Sequence, residues 1–166
     1  MENLIYDFFV AWEKEIVAYQ EVLLCLKDQK ESLINWDIEK FQKISQQTAI
    51  LTTRSHRATS HRNDLLETIF LLNDFDTTQN NLKTVSNVFE QDDLKDKAEV
   101  FYTSFINTLK SIDQLSNDNK DLIQTGLDLV GKNLELISDI VDNARVYSRV
   151  GMIPQKRNAI ILNTQA

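Results

Sequence analysis

The sequence predicts an all-α fold: an elongated antiparallel helical bundle or coiled coil of three long helices with a flexible C-terminal tail. Two observations carry this. First, apolar residues recur at helical spacing over long stretches, with Ile5, Phe8, Trp12, Ile16, Tyr19, Leu23, Leu26 and Leu33 marking the first seam. The steps of three, four and seven repeat about every 3.5 residues, the period of helices lying side by side. Second, the 166 residues contain one proline, Pro154, and three glycines, Gly126, Gly131 and Gly151. Residues that interrupt a helix are almost absent. The expected organisation is a bundle over 1–147 followed by a basic and apolar tail over 148–166.

The first helix is expected from about Glu2 to about Ile34. Asn35-Trp36-Asp37 then reads as a short turn, with the Asp37 carboxylate suited to accept from the exposed amides of the next helix. So short a connection makes the two helices antiparallel neighbours. The second helix should run from about Ile38 to about Leu72 on a seam of Phe41, Ile44, Thr48, Leu51, Ser55, Ala58 or Thr59, Arg62, Leu66 and Ile69. Its middle is small and polar, which reads as close helix approach in preference to an adaptable thinning of the bundle. Residues 73–91 gather Asn, Asp and Thr as loops do. Within them Leu82, Val85, Val88 and Phe89 suggest a short helix over one end of the bundle.

The third helix should start at Asp92 or Asp93, where two acids favour a helix N-terminus. Its seam is Leu94, Ala98, Phe101, Phe105, Thr108 or Leu109, Ile112, Leu115, Asn119, Leu122, Gly126, Val130, Asn133, Ile137, Ile140 and Ala144. The polar run Ser116 to Lys120 is its weakest point, yet the seam keeps phase through it, so one continuous helix to about Asp142 is expected. Gly151 and Pro154 end helical structure. Beyond them Ile160, Ile161 and Leu162 follow the bases Arg149, Lys156 and Arg157. That tail reads either as a docking segment or as a piece that folds back on the bundle.

Composition narrows the function classes. Hydrophobic residues make up 42% of the chain, as in a soluble globular protein, and no apolar run approaches the ~20 residues that span a bilayer. Stable membrane insertion is not expected. Met1-Glu2-Asn3 lacks the basic start of a secretory signal, so a secretory signal is not expected. Cys25 stands alone and reads as a packed thiol. The net charge of −7 argues against nucleic-acid binding. Charge is unevenly placed: Arg145, Arg149, Lys156 and Arg157 follow the last acid, Asp142. Lys40 to Asn63 also lacks acids and holds Lys40, Lys43, Arg54, Arg57 and Arg62.

No catalytic or metal site is expected. His56 and His61 are five residues apart, about 140° around a helix, and cannot share an ion as an i, i+4 pair does. There is no Glu-x-x-His pair and no glycine-rich phosphate loop. Nothing assembles a nucleophile, a base and an orienting group, so an enzyme is the least expected class and no cofactor is expected. Arg54, Arg57, His61 and Arg62 share one side of the second helix, and pairing with acids of neighbouring helices is favoured over an anion site. Trp12 is expected in the core and Trp36 at the hairpin end.

The run YQEVLLCLKDQKESLINWDIEKFQKISQQTAIL, Tyr19 to Leu51, resembles the N-terminal hairpin of the FlgN-like flagellar export chaperones. The matching residues are Leu23, Leu24, Leu26, Lys30, Leu33, Asp37, Ile38, Glu39, Phe41 and Ile44. The run NKDLIQTGLDLVGKNLELI, Asn119 to Ile137, is similar to that family's C-terminal helix, and Tyr147 with Gly151 fits the way that helix ends.

The resemblance implies a cytoplasmic type III export chaperone without ATPase activity. It would bind hook-filament junction proteins, FlgK and FlgL, prevent their premature assembly and deliver them to a component of the flagellar export gate. The partner-binding residues are then expected in the C-terminal part: Tyr147, Arg149, Ile153, Arg157, Ile160, Ile161 and Leu162, with Arg145 and Lys156 steering toward an acidic partner. A monomer or dimer is expected. The competing classes are a structural or adaptor helical bundle without a secretion role and a ligand-binding sensor bundle.

Overall fold

A 33-residue run without glycine or proline gives the first helix, α1, Glu2–Ile34. The chain then reverses in three residues. Trp36 takes a positive φ of 56°, a left-handed conformation that costs an L-residue about 1–2 kcal/mol and lets the turn close. The Asp37 amide donates to the Ser32 carbonyl at 2.9 Å. Asp37 Oδ1 in turn accepts from the Lys40 amide at 2.9 Å, which caps α2, Ile38–Leu72. At the other end of α2 the Asn73 side chain donates back to the Ile69 carbonyl at 2.7 Å. Both helices therefore have the bounds expected from the sequence. Trp36 sits at the hairpin end as expected, but 56% of it is exposed.

The structure, a computed structural model, describes residues 2–73, 82–89 and 91–147, and of 142–147 the backbone alone. Among these residues there are helices and no strand. A 3-10 helix, Leu82–Val88, lays Val85, Val88 and the following Phe89 into the core. The short helix expected within the Asn- and Thr-rich segment is therefore present. The third long helix, α3, Asp92–Tyr147, begins on Asp92 and Asp93 and runs unbroken through Ser116 to Lys120.

The chain divides into two compact units, Met1–Ile123 and Gln124–Ala166, and α3 is continuous from one to the other. The bundle-to-tail boundary expected at 147/148 falls at the edge of the described residues. In the first unit the pairings fix the direction of each helix. Glu15 meets Arg62, Glu21 meets Arg54 and Gln29 meets Ser45, so α2 runs antiparallel to α1. Phe9 meets Phe101, Tyr19 meets Phe105 and Lys30 meets Asp118, so α3 runs parallel to α1. The result is an up-down-up arrangement.

The core lies where the start of α1, the end of α2 and the start of α3 come together. Phe8, Phe9, Trp12 and Ile16 pack with Leu66, Ile69 and Phe70, and with Val85, Val88, Phe89, Ala98 and Phe105. Phe9 stands edge-on to Phe101 with centroids 5.6 Å apart, and Phe89 stacks on Phe9 at 5.5 Å. Such pairs add about 0.5–1.5 kcal/mol each beyond the area they bury.

α1 carries a second buried seam that the apolar count did not mark. Ala11, Glu15, Ala18, Val22, Cys25, Gln29 and Ser32 are all buried and follow a strict heptad. This seam is small and polar because it is keyed to α2 by hydrogen bonds. Gln29 Nε2 donates to Ser45 Oγ at 3.2 Å and Thr48 Oγ1 at 3.3 Å. Thr59 Oγ1 donates to Glu15 Oε1 at 2.7 Å. Arg62 grips Glu15 through Nε at 2.8 Å and Nη2 at 2.9 Å, with both side chains out of water. The small polar centre of α2 thus serves close helix approach. Cys25 is buried as expected, and burial, reinforced by the charges of Asp28 and Glu21, pushes its thiol pKa up.

Candidate functional site

Asn119 ties α3 to the hairpin. Its side chain is buried, and Nδ2 donates to the Leu26 carbonyl at 2.9 Å. One residue earlier, Asp118 accepts from Lys30 at 2.6 Å. From residue 127 to residue 141 every position is exposed. That stretch is not polar. Leu127, Leu129, Val130, Leu134, Leu136, Ile137, Ile140 and Val141 all stand in water, with exposures from 43% to 66%.

The spacing organises these residues into two stripes. Ile123, Leu127, Val130, Leu134, Ile137 and Val141 follow alternating steps of four and three, the seam of a coiled coil. Leu122, Leu129, Leu136 and Ile140 form a second stripe beside it. Projected at about 100° per residue, the two stripes span about 180° of the helix surface. The charged residues Asp128, Lys132, Glu135 and Asp139 gather on the opposite side, within about 60°. An ordinary surface helix has an apolar stripe a little over about 100° wide, turned to the core. Here the stripe is wider and faces solvent.

The area involved is substantial. About half to two-thirds of eight large aliphatic side chains amounts to on the order of 700 Å², against roughly 800 Å² given by one partner to a standard stable interface. Contiguous apolar surface of this size is characteristic of interaction surfaces. What the face can do chemically is bury itself against helices. It holds no nucleophile or base. Among the described residues there is no cluster of acids, histidines or cysteines able to hold a metal ion, and no helix is long and apolar enough to cross a membrane.

Val130, Asn133, Ile137 and Ile140, expected in the seam of the bundle, are all exposed. Periodicity signals that this face packs against helices, and carries no sign that the described residues leave it uncovered. Of the partner residues expected from the sequence, Tyr147 closes α3 and its side chain is outside the described residues. Arg149, Ile153, Arg157, Ile160, Ile161 and Leu162 also lie outside them.

The basic cluster of α2 resolves as the favoured reading had it in two cases. Arg62 is buried on Glu15, and Arg54 bonds Glu21 at 2.8 Å, while Arg57 and His61 are exposed. Trp12 is fully buried in the core, as expected.

A sequence model of one family, described as FlgN protein, matches residues 1–155. No curated protein and no solved structure matches the chain. The match takes in the hairpin, the core and the whole of the exposed α3 face, so the chain belongs to the FlgN family of flagellar export chaperones.

Proposed function

We propose that the chain is a type III export chaperone for hook-filament junction proteins of the FlgK and FlgL kind. It binds their helical segments in the cytoplasm, keeps them from assembling early and hands them to a component of the export gate. The observation that carries this reading is the exposed apolar face of α3 from Leu127 to Val141. Burying such a face on a client helix covers apolar surface of both chains until delivery. Contacts of the client continue from this face into Tyr147, Arg149, Ile153, Arg157, Ile160, Ile161 and Leu162, where bases accompany the apolar residues. The chain works by contact and turns over no substrate.

The same face also suits a structural or adaptor protein that associates with its own copies. Co-purification separates the two. The full chain is mixed with the terminal helical region of a hook-filament junction protein, alongside a chain truncated after Asn143 and a chain carrying Leu134→Glu and Ile137→Glu. The chaperone reading expects one chaperone per client, binding weakened by truncation and lost with the two glutamates. Strong self-association with no client bound is the adaptor result.

A further inference from the structure

Resting on the chaperone reading above, we propose that the α3 face takes two helices at once, both from one client chain, and not a single helix. Two independent observations point there. The first is width. One docked helix covers a stripe of about 100°, which matches the stripe of Leu127, Val130, Leu134, Ile137 and Val141 and leaves Leu129, Leu136 and Ile140 in water. The apolar arc of about 180° is complete only with a second helix along the Leu129–Leu136 side.

The second observation is the choice of residues within the seam. Leucine stands at two of the three a positions, Leu127 and Leu134, with Val141 at the third, and β-branched residues stand at all three d positions, Ile123, Val130 and Ile137. In parallel coiled coils this order disfavours two strands and favours three or four. The flanking positions agree. A two-stranded coiled coil carries charges beside its seam. Here those places hold Gln124, Gly131 and Ser138 on one side and Gly126, Asn133 and Ile140 on the other. The charges are confined to the far side.

Charge also favours a client over further copies of this chain. Each copy brings a net charge of −7, which favours a monomeric chain over an assembly of three or four copies. A client with two helical segments closes the same surface with a single association. The partner is thus a chain presenting two apolar helical faces whose flanks are uncharged, held side by side against α3.

The test uses the full chain with an intact hook-filament junction protein, and with its N-terminal and C-terminal helical segments as separate peptides. Two double variants are compared, Leu127→Glu with Leu134→Glu and Leu129→Glu with Leu136→Glu. All four positions are exposed, and far-UV circular dichroism checks that the helix persists. The proposal expects each double variant to weaken binding of the intact client at least tenfold. It also expects each peptide to respond to one variant and not to the other.

If the Leu129 and Leu136 variant binds the intact client within twofold of the parent chain, one helix suffices and the proposal fails. Sedimentation of the free chain as a trimer or tetramer that the client does not dissociate also overturns it. So does a rise in affinity on truncation after Tyr147, which would assign the second stripe to the chain's own tail. No binding of intact client by the unmodified chain removes the chaperone reading as well, whereas binding with one stripe silent removes only the two-helix proposal.

Discussion

The start of α1 and the later part of α3 carry similar stripes and meet opposite fates. Phe8, Trp12 and Ile16 are at most 8% exposed, while Leu127, Leu134 and Ile137 are each more than half exposed. What separates them is polar keying. Hydrogen-bonding pairs fix α1 against its neighbours, among them Glu15 with Arg62 and Gln29 with Ser45. On α3 one such key is Asn119 on the Leu26 carbonyl. From 127 to 141 the seam is apolar and exposed. A hydrophobic stripe commits a helix to packing, and buried polar partners decide what it packs against.

Four substitutions sharpen this contrast, from the largest expected effect on stability to the smallest. Trp12→Ala empties a site walled by Phe8, Phe9 and Phe101 and should cost about 3–5 kcal/mol. Urea unfolding should show a lower midpoint with an unchanged slope. Arg62→Ala leaves the Glu15 carboxylate buried without its cation and should cost about 3 kcal/mol or more. Replacing both partners by apolar residues of similar volume should cost less, and a double-mutant cycle in thermal melts reads the difference.

Asn119→Ala removes the bond to the Leu26 carbonyl and should cost about 1–2 kcal/mol. Its unfolding midpoint should drop less than that of either variant above. Leu134→Glu, on the exposed face, should change stability by less than about 0.5 kcal/mol and still abolish co-purification of the client. If Leu134→Glu destabilised the chain as strongly as Trp12→Ala, the distinction between the two stripes would be lost.

Much of the fold is legible in the sequence because its signals are local. The bounds of α1 and α2 follow from Asp37, which caps one helix, and from the scarcity of glycine and proline. Continuity of α3 through Ser116 to Lys120 follows from a seam that keeps phase. The second seam of α1 was not legible. Ala11, Ala18, Ser32 and Gln29 do not stand out as core residues, and their burial depends on partners such as Ser45 and Thr48 that only the folded hairpin brings near. The α3 face was legible as a helix-packing stripe and not as an open one. Its spacing is the same whether the covering helix is in this chain or another, so exposure is information the sequence pattern does not contain.

The most direct measurement is amide hydrogen exchange along α3, with and without a hook-filament junction protein. In the free chain, amides of 98–109, on the turns that pack in the core, should exchange slowly, and those of 127–141, exposed among the described residues, should exchange much faster. Adding the client should slow exchange across 127–141 toward the values of the core and leave the α1–α2 hairpin unchanged. Protection of 127–141 already in the free chain, or client-induced protection confined to the hairpin, would contradict the account.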